Sequence, residues 1–389
     1  MFPSRVPAPR PFNEPVLVTR PFMPPLADFT EGLQGIWARR WLTNNGPVVR
    51  RFTAELASKL GTDNVSLFNN GTLALQVGLQ ALGVSGEVIT TPFTFVATTH
   101  ALQSNGIRPV FVDIEANHYT LDPDQVEAAI TPWTTAILAV HVYGHPCYLR
   151  ALGDIAARHD LQLIYDAAHA FGVQVDGMPI SSFGDMSMFS FHATKLFHSL
   201  EGGMLVFAEP SLKETVDYLK NFGFENETEV VMPGTNAKMN ELQALMGELV
   251  LGHLPKIITA RKAVYERYRA NLDGTPGIRF VPPFDRDVSY NYAYMPVEID
   301  PEQFGVGRDY VYEELKTYNV FARRYFYPLV CDFACYRGVT VDSPLTVARR
   351  VADRILTLPI YPDLALEDVD RICEMIRSMS VPASAGTRS

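Results

Sequence analysis

Through the first two thirds of the chain, short continuous apolar runs alternate with segments whose apolar positions recur every three or four residues. Continuous runs suit strands buried on both faces, and the 3.6-residue period suits helices packed over those faces. The pattern predicts strands at Glu87–Thr91, Pro109–Ile114, Ala136–Val142, Gln162–Asp166, Met186–Phe191 and Met204–Ala208. It predicts helices at Thr72–Leu82, Val96–Ser104, Pro123–Ile130 and Leu149–His159, each short enough to be a right-handed crossover between parallel strands. The expected fold class is α/β, with a mainly parallel central sheet.

A chain of 389 residues exceeds what one hydrophobic core usually covers, so a large domain with a smaller companion is expected. From Lys256 to Leu272 charged and apolar residues alternate at helical spacing, and this segment is read as the link to a C-terminal domain of mixed strands and helices. The expected division is an N-terminal arm over residues 1–16, a large domain over 17–255 and a small α/β domain over 256–389. The small-residue tail Pro382–Ser389 reads as frayed.

Charge narrows the partners. With 33 basic and 43 acidic residues the net charge is −10 and no Lys/Arg run stands out, which argues against nucleic acid or an anionic membrane as principal partner. A phosphate would have to be held locally. Cys147, Cys331, Cys335 and Cys373 lack paired C-x-x-C spacing and read as free thiols of a cytoplasmic protein, with no metal expected. The proline-rich start Met1–Pro11 lacks a signal-like apolar stretch, and no later run reaches membrane-spanning length.

The most chemical stretch is Asp185-Met-Ser-Met-Phe-Ser-Phe-His-Ala-Thr-Lys195, preceded by Leu163-Ile-Tyr-Asp166-Ala-Ala-His169. It puts a lysine and a carboxylate at the ends of two strand-like runs. An enclosed lysine has a lowered pKa and can condense with an aldehyde, and a carboxylate beneath a pyridine nitrogen keeps that ring protonated, which together are the minimum apparatus for pyridoxal phosphate. The plainer reading of Asp166 is a helix N-cap for the residues after it. Asn70-Gly71-Thr72 follows the apolar run Val65–Phe68 and opens a predicted helix, so its backbone amides form either a phosphate cradle or simply a turn. Phe95, beside a proline-containing strand end, reads equally as a core aromatic.

Several stretches, in this order and spacing, resemble the DegT/DnrJ/EryC1/StrS sugar aminotransferases, which are fold-type I pyridoxal phosphate enzymes. They are Asn69-Asn70-Gly71-Thr72-Leu-Ala-Leu75, Thr91-Pro-Phe-Thr-Phe95-Val-Ala97, Val140-His-Val-Tyr-Gly144, Asp166-Ala-Ala-His-Ala170, Phe189-Ser-Phe-His-Ala-Thr-Lys195 and Glu201-Gly-Gly203. The resemblance runs from about Leu17 to the C-terminal region. It implies pyridoxal 5'-phosphate as cofactor, cycling through its pyridoxamine form, with Lys195 as its anchor and proton carrier and Asp166 as the ring-nitrogen partner. It implies a phosphate shell from Gly71, Thr72 and Ser190, a ring-stacking Phe95, and a phosphate ligand, Asn236, reaching in from a second subunit. His169 stands where many relatives carry glutamine; it either reaches the cofactor's phenolic oxygen or is a satisfied core histidine.

The resemblance also implies a homodimer with shared sites, a nucleotide-linked keto-sugar as substrate and L-glutamate as amino donor. Tyr-Asp-Ala-Ala-His-Ala-Phe together with Ser-Phe-His-Ala-Thr-Lys is similar to enzymes that aminate C4 of dTDP-4-keto-6-deoxyglucose. Amination at C3, or of a UDP or GDP sugar, is the alternative, and a non-catalytic partner protein is the rival from another class. The related 3-dehydratases carry histidine in place of the lysine, so Lys195 counts against that chemistry. Tyr290, Tyr292, Arg323, Arg324 and Tyr325 lie in aromatic-rich segments that match the substrate-holding loops of relatives, although Tyr290, Tyr292 and Tyr294 also fit one face of a half-buried strand. Around Asn236, Ala237, Lys238 and Asn240 depart from the family's usual Asn-Tyr-Arg-Met pattern.

Overall fold

A computed structural model describes residues 10–381. β1 (Val16–Leu17), α1 (Leu26–Arg39) and α2 (Pro47–Leu60) precede the alternating part of the chain, β2 (Val65–Phe68), α3 (Gly71–Ala81), β3 (Glu87–Thr90), α4 (Ala97–Ser104), β4 (Arg108–Phe111), α5 (Pro123–Ala128), β5 (Thr134–Val140), α6 (Leu149–His159) and β6 (Gln162–Asp166). A short excursion, β7 (Gln174–Val175) and β8 (Met178–Pro179), leads to β9 (Met186–Ser190), β10 (Gly203–Phe207) and α7 (Leu212–Leu219). The long α8 (Glu241–Leu272) follows, then β11 (Ile278–Phe280), β12 (Val288–Ser289), β13 (Met295–Ile299), α9 (Pro301–Phe304), α10 (Arg308–Thr317), β14 (Val320–Phe321), α11 (Thr346–Arg354), β15 (Ile355–Leu358) and α12 (Leu366–Ser378).

Seven strands form the central sheet in the order β2-β10-β9-β6-β5-β3-β4, with β10 the antiparallel member. Both faces are buried. Ile137, Ala139, Leu163 and Tyr165 point into one apolar layer, while Ala136, Leu138 and Ile164 point into the other, beneath α3 and α4. That double burial is why the strands read as unbroken apolar runs rather than as alternation. A separate core gathers β13, β15, α10, α12 and the second half of α8. Val16, within the stretch read as an arm, packs into this C-terminal core, and β1 pairs with β14.

Two carboxylates tie distant segments by capping helices. Asp113, two residues past β4, accepts the Val347 and Ala348 N–H groups at the start of α11, at 2.9 and 2.8 Å. Its backbone therefore leaves the sheet after Phe111, three residues before the predicted strand end at Ile114. Glu241, fully buried in the first turn of α8, accepts the Val48 and Val49 N–H groups of α2 at 3.0 and 2.9 Å. The N-cap of α2 is Gly46, which has no side chain to do this, and a Cβ there would lie 2.6 Å from the Glu241 carboxyl carbon. α8 runs unbroken across Leu254-Pro255, where the sequence suggests a boundary, and starts 15 residues before the predicted helix at Lys256.

Glu241→Ala orphans two helix N–H groups in a dry setting, and charge-assisted bonds to buried donors are each worth about 1.5–3 kcal/mol. Chemical denaturation of this variant is expected to show a loss of about 3 kcal/mol or more; a loss within experimental error would mean that α2 is held by packing alone.

Candidate active site

The strand register brings one set of ends together. Val140 of β5 pairs with Asp166 of β6, Asp166 with Met188 of β9, and Gly203 of β10 with both Ser190 and Phe68. The carboxyl ends of β2, β5, β6 and β9 thus line up, the edge at which open α/β sheets gather ligands. Asp166 shares its parity with Ile164, so its side chain emerges on the face covered by α3 and α4. A cavity of about 280 Å³ opens there, lined by Gly71, Thr72, Phe95, Asp166, His169, Ser190, Lys195 and Tyr325 among others.

Each wall has a local cause. Asn70 is the N-cap of α3, its side chain accepting the Leu73 N–H at 2.8 Å, which leaves the first-turn amides of Gly71 and Thr72 to face the cavity. The helix start is pressed against the sheet. A Cβ at Gly203 would meet the Asn70 carbonyl at 2.6 Å and the Gly71 nitrogen at 2.7 Å, and a Cβ at Gly71 would meet Ser190 at 3.2 Å. These two glycines let backbone donors and the Ser190 side chain surround one small volume, as a phosphate cradle requires. Phe95, just ahead of α4, is 57% exposed on the cavity wall, an unusual position for an aromatic with only core work to do.

Asp166 is buried, and its oxygens accept the Thr98 hydroxyl at 2.7 Å and the Ala168 N–H at 3.1 Å. Burial raises its pKa, with Thr98, Ala168 and the Lys195 charge opposing the rise. No helix begins at Ala167, so the capping alternative has nothing to cap. A desolvated carboxylate at a cavity floor suits a protonated ring nitrogen. Lys195 follows β9 by five residues; enclosure lowers its amine to about 8, with Asp166 and Tyr325 acting in the opposite direction. At pH 7 about a tenth of such amines are free, against about one in 2,500 for an ordinary lysine.

His169 resolves into a donor. Its Nδ1 accepts the Tyr143 N–H at 3.2 Å, so in the neutral ring the proton sits on Nε2, and burial holds the ring neutral by pushing its pKa well down. A neutral Nε2–H offers what a glutamine amide would offer. At the mouth, His192 bonds Thr194 at 2.7 Å and approaches Glu201 at 3.4 Å. Among the described residues the lining contains no arginine.

The other expected site residues stand apart from this cavity. Arg324 pairs with Asp309 at 2.9 Å and lies over the Tyr312 and Tyr327 rings, while Arg323 is exposed. Tyr290 donates its hydroxyl to the Tyr143 carbonyl at 2.9 Å, and Tyr292 packs on Tyr265. Residues 290–294 lie between β12 and β13 and belong to neither, so the strand-face alternative does not hold. Asn236 bridges Asn221 and accepts from Lys238 at 2.8 Å, outside the lining of its own chain's cavity. Thr98 went unnoticed in the sequence as a site residue, and Tyr294, which the sequence places in a substrate-loop segment or on a strand face, instead meets the lysine, its hydroxyl accepting from Lys195 Nζ at 3.3 Å.

Comparison with known proteins agrees with this geometry. Residues 27–377 match the DegT/DnrJ/EryC1/StrS aminotransferase family. The chain belongs to that family. Members are pyridoxal phosphate-dependent, and the Asp166, Lys195 and α3 arrangement fits that cofactor. This aminotransferase is 44% identical over 367 residues to the dTDP-4-amino-4,6-dideoxy-D-glucose transaminase of Shigella dysenteriae, covering 94% of this chain and 100% of that protein. It is also 44% identical to the Escherichia coli protein of the same name, over 94% of this chain and 98% of that one. The crystal structure of DesI with its TDP-sugar product superposes with a TM-score of 0.90 at 40% identity, over 95% of this chain and 94% of that one.

Because the attacking species is the free amine, reconstitution of apo-aminotransferase with pyridoxal phosphate should accelerate about tenfold per pH unit below about 8 and level off above it. Stopped-flow absorbance of the cofactor reads this directly. A rate still climbing at pH 10 would show that Lys195 keeps an ordinary lysine pKa.

Proposed function

We propose that this aminotransferase converts dTDP-4-keto-6-deoxyglucose to dTDP-4-amino-4,6-dideoxyglucose, taking the amino group from L-glutamate and releasing 2-oxoglutarate. The reading rests on one conjunction: Lys195 and Asp166 share a cavity in a chain 44% identical, nearly end to end, to transaminases named for that amino sugar. When bound, pyridoxal phosphate supplies an aldehyde that condenses with amines and a protonated ring that takes up the electron pair freed when a proton leaves the donor's α-carbon. Asp166 holds the proton on the ring nitrogen. Lys195 Nζ takes the α-proton from the donor and later delivers a proton to C4 of the sugar, work for which a lowered pKa suits it. The amides of Gly71 and Thr72 and the Ser190 hydroxyl would hold the phosphate, Phe95 would stack on the ring, and the His169 Nε2–H would donate to the phenolic oxygen.

In this reading the sugar passes Tyr325, and the exposed Arg323 guanidinium meets the diphosphate. Arg324, Tyr290 and Tyr292 act only through the neighbours they bond or pack on, outside the cavity. The working unit is a cytosolic homodimer. All four cysteines are free, which supports a reducing compartment. The loop before Asn236 leaves Phe222, Phe224, Val230 and Val231 between 40% and 56% exposed, an apolar surface suited to a subunit contact that would carry Asn236 to the partner's phosphate.

A panel of dTDP-, UDP- and GDP-linked 3-keto and 4-keto sugars, assayed with glutamate, tests the substrate. Turnover restricted to C3 ketones or to a UDP or GDP sugar would overturn the assignment. Asp166→Asn keeps shape but removes the charge, and activity should fall by about 10²-fold or more. Near-normal turnover there would leave Asp166 with a structural role alone.

The shared site has its own test. Mixing inactive Lys195→Ala with a variant disabled at Asn236 should restore activity on subunit exchange, because one interface then carries both intact residues. Hybrid dimers that form and recover nothing would place Asn236 in its own subunit's site.

A further inference from the structure

Tyr294 sits where neither strand nor helix holds it, yet its position is fixed from three sides. Arg261, a fully buried arginine on α8, donates to the Tyr292 carbonyl at 2.9 Å and to the Ala293 carbonyl at 2.5 Å. Asn291, also fully buried, donates to the His169 and Phe171 carbonyls at 2.8 and 3.0 Å and accepts the Ala293 N–H at 3.0 Å. The loop ahead of β13 is therefore fastened both to α8 and to the segment that follows Asp166. On the third side the Tyr294 ring packs edge-on against His169, with centroids 4.7 Å apart, and against Tyr325 at 6.1 Å. So braced, its hydroxyl accepts from Lys195 Nζ at 3.3 Å.

A tyrosine hydroxyl that is held this firmly is out of place in a merely space-filling role. Leucine or phenylalanine would fill the gap between His169 and Tyr325 without bringing a polar atom to the lysine. The hydroxyl also has a property that a carboxylate or an amide N–H lacks, since it donates to an amine lone pair and accepts from an ammonium N–H. One group can thus hold Nζ in the same place through both protonation states.

We propose that Tyr294 is a positioning residue for Lys195, holding its amine at one point of the cavity during the part of the cycle in which that amine is not bonded to the cofactor. Building on the transaminase reading above, this means that the hydroxyl sets the path along which Nζ carries its proton between the donor's α-carbon and the sugar carbon. The other ionisable groups that face Lys195 are Asp166 on β6, Tyr325, His169, and the His192 and Glu201 pair at the mouth. Asp166 attracts the ammonium from the cavity floor and His169 is neutral, so neither fixes the direction in which the amine points. Transfer geometry is sensitive to such placement, because misaligning a reacting group by about 1 Å can cost about 10²-fold.

The test is Tyr294→Phe, which removes one oxygen and keeps the ring packing. Two readouts are needed. The first uses apo-protein and no substrate: pulse-labelling of Lys195 by an amine-directed reagent across pH, read by peptide mass mapping. A charge-assisted bond from the ammonium is roughly twice as strong as one made by the neutral amine, so losing the hydroxyl disfavours the charged form. The labelling midpoint should fall by about half a pH unit or more. The second is steady-state kinetics with L-glutamate and its α-deuterated form. Here kcat should drop about ten-fold or more with the glutamate KM nearly unchanged, and the isotope effect on kcat should rise as proton transfer becomes limiting.

An unmoved midpoint together with an unmoved isotope effect would overturn the proposal, whatever happens to kcat. If the wild-type protein transaminates no sugar with glutamate, the functional reading fails while the labelling experiment still decides the placement of the amine.

Discussion

Asp166 carries a carboxylate into a place where burial works against its charge, and the surrounding elements are arranged around that cost. Two donors reach it, the Thr98 hydroxyl from α4 and the Ala168 N–H from its own strand end, and the Lys195 charge adds attraction. These partners do not cancel desolvation, so the pKa stays raised. Lys195 shows the mirror image, with burial lowering the amine and Asp166 resisting. Each group is displaced toward its neutral form, and a cationic ring N–H arriving above the carboxylate relieves the imbalance. The cavity is thereby built for a ligand that brings its own positive charge to the floor.

The anionic end of that ligand is met differently. A basic patch would suit a phosphate on charge alone, but it would also attract every other anion, and among the described residues the lining holds no arginine. Instead, backbone amides at the start of α3 face the cavity, and they can do so because α3 is pressed onto β10 at a distance only glycine allows at Gly203. Neutral donors of fixed direction select by shape as much as by charge. The division of labour we propose, carboxylate for the ring and amides for the phosphate, is consistent with a chain whose net charge is −10.

What could be read from the sequence follows from where the physical signal is local. The doubly buried strands are continuous apolar runs, and Gln162–Asp166 and Leu149–His159 fall where the pattern puts them. Lys195 and Asp166 were legible because a charged residue ending such a run has no packing reason to be there. α1 was not predicted: it fully buries Ile36 while leaving Leu26 and Trp37 exposed, so its stripe is blurred. α2 depends on a cap 193 residues away, which no local window contains. Tyr290, Tyr292 and Tyr294 alternate as a strand would, but the loop's turns, including Tyr292 at a φ of 55°, send the hydroxyls elsewhere, one to the Tyr143 carbonyl and one to Lys195. Alternation gives the period of a segment and is silent about what braces it.

α8 supplies that bracing at two points along one rigid body. At its first turn Glu241 holds α2, and the Asn240 capping box holds the helix start beside Asn69, whose carbonyl accepts the Gln243 amide at 3.1 Å. Five and a half turns on, at about 3.6 residues per turn, Arg261 grips the carbonyls ahead of Tyr294. The same helix thus touches the segment that leads into the proposed phosphate cradle and the loop that faces the lysine. Its continuity through Pro255 keeps those two contacts in fixed relation, although the helix also spans from the central sheet to the C-terminal core. A bend there would shift Tyr294 relative to the start of α3 without altering a single residue in the cavity.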